Sequence, residues 1–397
     1  MPPSTTSRQP RRAGTARRTT VAVAAVAGVL SACSSGTETS SSGYQGEIGA
    51  VDLSGVCPKT VVVQTDWNPE AEHGFLYELL GPDPKIDTNA KKASGPLFAS
   101  GEYTGVDIEI RAGGPAIGFQ SVTSQMYQDP SIMLGFVDTD QAIQGAASNP
   151  TTAVVTPLEI NPMIVMWDPG KYPHVAAISD LKATDATVLY FEGSAYMDYL
   201  TGSGVLSPDQ VDGSYDGSPA NFVTAGGSKA QQGFASSEPY VYENEVEGWM
   251  KPVKFQLVND AGFPTYKSAL SVRSADLEQN SACLKELVPV VQQAQNDFFA
   301  SPGRANGIVL DAVEAYSTGW VYDKGNADYA TQTMKELGLV GNGSNSTMGD
   351  FDMERVQRMI DITRPIYSSQ GVSIPDALTP ESLVTNEFIE PSIGFTG

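Results

Sequence analysis

Three short stretches of the chain set chemically able side chains where loops follow strands. Residues 66–77 read DWNPEAEHGFLY. Trp67, flanked by the polar Asp66 and Asn68, offers an indole face for stacking, and His73 offers an imidazole with Tyr77 one helical turn beyond it on the same face. The second stretch is Ala112, Gly113, Gly114 and Pro115: glycine lets a backbone approach a ligand, and proline opens a helix whose free N–H groups would point at a cleft. The third, Glu192, Gly193, Ser194, Ala195 and Tyr196, repeats the order strand, glycine, helix start. Each has a plainer reading beside it. Trp67 and Tyr77 suit a core, His73 could pack or pair with Glu70, and Glu192 and Glu238 could be solvated acids. His174, in a loop after Pro173, receives no role.

The elements that must hold these loops alternate along the chain. Strand-like runs fall at 60–64, 106–110, 132–137, 153–156, 164–167 and 187–191, each short, apolar or β-branched and bounded by Gly, Pro, Asp or Asn. Stretches of helical length separate them, so an α/β fold with a largely parallel or mixed sheet is expected, and ligands of such sheets collect at the carboxyl ends of strands. Leu284, Leu287, Val288 and Val291, with Pro289 as a kink, and Met353, Val356, Met359 and Ile360 mark two late helices whose stripes suit a core. No repeat and no GxSxG elbow occurs, and two distant histidines support no metal site.

The N-terminus resembles a bacterial lipoprotein signal peptide. Arg8, Arg11, Arg12, Arg17 and Arg18 precede a ten-residue apolar run, and Leu30, Ser31, Ala32 and Cys33 resemble a lipobox. The resemblance implies cleavage of residues 1–32 and a diacylglycerol on Cys33, each buried methylene adding about 0.8 kcal/mol of membrane affinity. Residues 33–58, rich in Ser, Thr and Gly, would be a flexible tether. Arg17 and Arg18 leave the export route open between the general and the twin-arginine pathway. Cleavage takes five of the 24 basic residues and none of the 46 acidic ones, leaving a net charge of −27 on 365 residues. So acidic a surface argues against nucleic acid as a partner, and the length suggests two lobes. With Cys33 lipidated and the chain exported, Cys57 and Cys283 read as a disulfide, the alternative being two buried thiols.

Residues 66–77 also resemble the DW.PN..H.GLY segment of substrate-binding proteins of ABC importers, in the family of thiamine-pyrimidine precursor, nitrate, sulfonate and taurine binders. Asp66, Trp67, Pro69, His73, Leu76 and Tyr77 match, whereas Glu70 and Glu72 replace asparagines and Phe75 a glycine. Gly113, Gly114 and Pro115, the segment QDPSIMLGFVDTD at 128–140 with Asp138, and Ser236 to Tyr240 (SSEPY) resemble the family's later motifs in order. The resemblance implies a two-lobed periplasmic-binding-protein fold of type II with two hinge crossovers, residues 59–157 and 252–397 forming the first lobe and 158–251 the second. It implies a monomer without cofactor that takes a small solute between its lobes and delivers it to a membrane permease. The expected ligand contacts are Trp67, Asn68, His73, Tyr77, Gly113, Gly114, Asp138, Glu192, Ser194 and Glu238. Aromatic and acidic groups suit a neutral or cationic nitrogen heterocycle such as a pyrimidine. The alternative, a nitrate or sulfonate, would find only His73 and Arg111 as donors. A biosynthetic enzyme on the same fold would need a cysteine cluster that the chain lacks, and a lipoprotein that senses rather than imports is a third reading.

Overall fold

The computed structural model describes residues 43–397; Cys33, the signal segment and the first part of the tether lie outside them. Two sheets organise the chain. The first has the order β2 (Lys85–Asp87), β3 (Lys92–Ala99), β4 (Glu102–Arg111), β1 (Thr60–Gln64), β5 (Leu134–Val137), β12 (Ala269–Arg273) and β6 (Thr151–Val155). β1 lies parallel to β4 and β5, while β12 is inserted antiparallel between β5 and β6. The second sheet runs β11 (Lys254–Leu257), β7 (Met163–Trp167), β10 (Lys229–Phe234), β8 (Thr187–Leu189) and β9 (Val211–Asp212). The chain leaves the first sheet after β6 and returns to it with β12. This is the expected α/β, two-lobed, type II arrangement with two crossovers.

β1 is five residues of buried, mostly β-branched chain, as a strand flanked on both sides requires. α2 (Val122–Gln128) and α3 (Thr139–Gly145) connect strands of the first sheet, and α4 (Ala195–Gly202) and α5 (Ala220–Thr224) those of the second. α1 (Gly74–Glu78) packs on α7 (Leu277–Ala300), which carries Pro289 inside it, and on α8 (Gly303–Tyr316). α6 (Glu238–Asn244), of the second lobe, meets α9 (Lys324–Glu336), of the first, and α10 (Met353–Ser369) packs on both α3 and α4. Among the described residues no helix is long and apolar enough to cross a membrane.

Two expectations need correction. The expected first lobe resumes at residue 252 and so includes β11, but the four residues of β11 pair antiparallel with β7, and the return crossover follows Leu257. The tether was expected to stay free as far as residue 58. Instead Gly49 and Leu53 donate backbone hydrogen bonds to Tyr103 and Thr104, Leu53 is fully buried, and Cys57 is bonded to Cys283 across 226 residues of sequence. Backbone hydrogen bonds, a buried leucine and a crosslink together dock a segment whose composition reads as linker. The disulfide expected from the cysteine count is present.

Candidate functional site

The loops at the carboxyl ends of the strands meet between the sheets. Asp66 follows β1, Asp138 follows β5, and Lys267 precedes β12. The Lys267 ammonium lies 2.6 Å from Asp66 Oδ2 and 3.2 Å from Asp138 Oδ2. Ser268 completes the knot, its hydroxyl donating to Asp66 and its N–H to Asp138. Burial opposes ionisation of Asp66, but Lys267 and His73 outweigh it and hold that carboxyl below its ordinary range. Burial prevails at Asp138, which is raised, and at Asp140, which burial and then the charge of Asp138 push up to about 6. Sequence reading missed Lys267, since an isolated lysine 201 and 129 residues from its two partners carries no local signal.

The glycine turn serves Trp67. Gly113 N–H donates to Trp67 O and Gly114 N–H to Asp66 O, so these two amides hold the tryptophan loop and do not point at a cleft as expected. A Cβ on Gly113 would lie 2.3 Å from Thr65 O, and one on Gly114, where φ is +53°, 2.7 Å from the indole. The half-buried Trp67 meets Trp320 edge-on at 6.0 Å, Phe119 at 6.0 Å and, across the lobe boundary, Phe191 at 6.3 Å. Phe191 in turn meets Tyr215 at 4.9 Å.

Behind Trp67 several side chains expected at the ligand are engaged with other parts of the protein. His73 is 1% exposed, with Nε2 3.3 Å from Asp66 and 3.6 Å from Glu70, and Tyr77 is equally buried in the core. Asn68 accepts from the Thr318 hydroxyl at 2.8 Å, and the Trp320 N–H donates to that same hydroxyl. Tyr322 stacks on Trp320 and accepts the N–H of Ala71 through its hydroxyl. The 66–72 loop thereby places Trp320, which sequence reading also missed. Ser194 donates to Phe191 O and shapes that turn, while Glu192 is exposed and receives only the Tyr190 hydroxyl at 3.4 Å.

A cavity of about 550 Å³ opens beside this aromatic group, lined by Tyr215, Tyr242, Glu238 and Glu245 of the second lobe and Trp320 of the first. Of the residues expected at the ligand, only Glu238 is in its wall. Burial, with the charge of Glu72 adding to it, pushes Glu238 up to about 7, although the Phe234 N–H donates to it at 2.6 Å. Burial, then Asp323, pushes Glu245 up to about 7. Glu70 stands well above the carboxylate range through burial and the charge of Glu72. Glu72 is itself raised by burial and accepts a hydrogen bond from Ser236 of the second lobe, a direct link between lobes.

No Lys, Arg or His lines the cavity, and Arg111 is committed to Glu109 and Asp129, both at 2.7 Å. Among the described residues no group of three or more potential metal ligands converges.

No protein-family model matches the chain, and no curated protein matches it. Solved structures do. The periplasmic aliphatic sulphonate binding protein SsuA from Escherichia coli matches at 13% identity with a TM-score of 0.53, over 81% of this chain and 91% of that one. The ligand binding component of an ABC-type import system from Staphylococcus aureus, solved with zinc bound, matches at 11% identity with a TM-score of 0.51, over 84% of this chain and all of that one. At such identities the likeness is one of fold alone, and that fold is the two-lobed periplasmic-binding-protein fold of these two binding proteins.

Proposed function

We propose that the protein is an extracytoplasmic solute-binding lipoprotein of an ABC importer and not an enzyme. In this reading it captures a small nitrogen-containing, ring-bearing solute between its lobes and presents it to a membrane permease. The observation that carries the reading is the cavity at the lobe boundary, walled by aromatic rings from both lobes and by carboxylates. Ring faces and carboxylate acceptors suit a nitrogen heterocycle. A nitrate or sulfonate would meet repulsion from Glu238 and Glu245 with no cation in the wall. Solute binding favours the closed form because only there does the solute touch both lobes. Lipid attachment at Cys33 would keep the protein near its permease, and the lobes would be residues 59–157 with the return after Leu257, and the span between.

Trp320 and Tyr215 are placed to take the ring, with Trp67 buttressing Trp320. A thermal-shift screen of pyrimidines, flavins, amino acids, sulfonates and nitrate identifies binders, since a ligand bound only by the native state raises its melting temperature. For a heterocycle so found, Trp67→Ala should weaken binding several-fold and change tryptophan fluorescence, on the scale of about 0.5–1.5 kcal/mol per aromatic pair. Preferential binding of nitrate or a sulfonate would sink the heterocycle reading, and unchanged affinity in that variant would show that Trp67 takes no part in binding.

A further inference from the structure

Asp216, Glu238, Glu245 and Glu247 line the cavity, and the wall contains no basic side chain. Both carboxylate oxygens of Glu245 are buried, and the group facing them from the other lobe is another acid, Asp323, to which only a protonated Glu245 can hydrogen-bond. Glu72, whose charge bears on Glu238, is more than nine-tenths buried and leaves Oε2 without a donor. Lys267 and His73 cannot supply the missing charge, being held by Asp66, Asp138 and Glu70. Carboxylates withdrawn from water without donors are costly unless a proton or a cation joins them. Trp320 and Tyr215 complete the wall with rings whose faces attract cations.

We propose that the solute is an organic cation, a ring bearing an ammonium or amidinium group, which seats that group against Glu238 and Glu245 and its ring beside Trp320 and Tyr215. This deepens the solute-binding reading and rests on it. A bare metal ion finds no converging ligand set among the described residues, so the charge belongs on an organic body that the rings can hold.

Cation binding is then coupled to proton release. Glu238 is faced by Glu70 and Glu72 from the first lobe and by Tyr215 and Tyr242 from the second; Glu245 is faced by Asp323 and Tyr240. With both carboxyls near 7, the empty site is partly protonated at neutral pH, and an arriving cation displaces those protons. Affinity should rise about tenfold per titrating carboxyl between about pH 6 and about pH 8.

The test uses isosteric triplets in which pyridine, pyrimidine, imidazole or indole carries a methylammonium, a hydroxymethyl or a carboxylate group, measured by thermal shift and titration calorimetry on the exported protein with its disulfide intact. The methylammonium members should bind best and tighten with pH. Glu245→Gln and Glu238→Gln should each weaken them about tenfold or more, while changing the hydroxymethyl members by less than about twofold. If hydroxymethyl or carboxylate members bind as tightly as their cationic counterparts, the cation proposal is wrong and the solute-binding reading stands. If no member of any triplet binds at millimolar concentration, both fall.

Discussion

Replacing Lys267 by Met should remove the charge that holds the ends of β1 and β5 together. In the native protein one ammonium sits 2.6 Å from Asp66 and 3.2 Å from Asp138, all three side chains being 13–16% exposed. Methionine leaves both carboxylates desolvated beside each other. Breaking a buried pair in this way costs about 3–5 kcal/mol, and the remaining exposure argues for the lower end, about 3 kcal/mol. The loss must depend on pH, because two acids deprived of the lysine they share relieve their repulsion by taking up a proton. Urea unfolding of wild type and variant should therefore show the full deficit at about pH 8 and a smaller one at about pH 5. The triple variant Lys267→Met, Asp66→Asn, Asp138→Asn should recover much of it, since neutral amides tolerate that site better than orphaned charges. A deficit below about 1 kcal/mol at about pH 8, or one equal at both pH values, would refute the claim that Lys267 is the counter-charge of this knot.

Three further outcomes are expected. Cys57→Ser with Cys283→Ser should destabilise the domain by up to about 5 kcal/mol, the chain-entropy value for so long a loop, read from urea midpoints of oxidised and variant protein. The empty domain should lose stability as pH rises from about 5 to about 8. Glu238 stands near 7 when folded against an ordinary 4.5, so its contribution, about 3 kcal/mol at most, is present below the lower value and lost through the upper. A melting temperature flat over that range would show Glu238 to titrate normally. Cys33→Ser should move the protein from the membrane fraction to the soluble fraction or leave it unprocessed, and a variant still lipid-labelled would exclude lipidation at that residue.

Elements that signal themselves by local apolar pattern were readable in the sequence: β1, β4, β5, β6, β7 and β8 all fall on the expected runs, as do α7 and α10. The strands that escaped notice break the pattern for specific reasons. β10 reads KAQQGF, yet Gln231 and Gln232 are buried because the Tyr242 hydroxyl accepts from one, and the Phe191 N–H and Tyr196 hydroxyl donate to the other. A polar strand is affordable only with partners that lie elsewhere in the chain. β3 carries Pro96 where its ladder with β4 shifts register, a position at which the missing N–H costs little. At the site, the motif loops were found but their duties were not. Gly113 and Gly114 hold the Trp67 loop, Asn68 meets the Trp320 backbone through Thr318 and His73 pairs with Asp66 and Glu70, while the wall of the cavity includes Trp320, Tyr215 and Glu245, which join only through the fold.

Both crossovers are gathered by one side chain. Arg355, near the start of α10, donates to Glu159 O in the first crossover and to Pro264 O and Thr265 O in the second, with its guanidinium 3.7 Å from the centre of the Tyr266 ring. A rigid planar donor with several fixed directions suits this task better than a lysine would. Crossovers held at a common point leave the second lobe free to turn about that point while the sheets stay intact. Such a turn must part the contacts between the lobes, among them the Ser236 hydrogen bond to Glu72, the Asn326 hydrogen bond to Ser237, the edge contact of Trp67 with Phe191 and the packing of α6 on α9 and of α10 on α4. Parting the lobes returns Glu70, Glu72 and Glu238 to water, where carboxylates ionise readily, and closing withdraws them again. In the proposed role, the movement that admits the solute is therefore the movement that sets the charge of the site, and a cation is the occupant that lets the lobes close without carrying protons in with it.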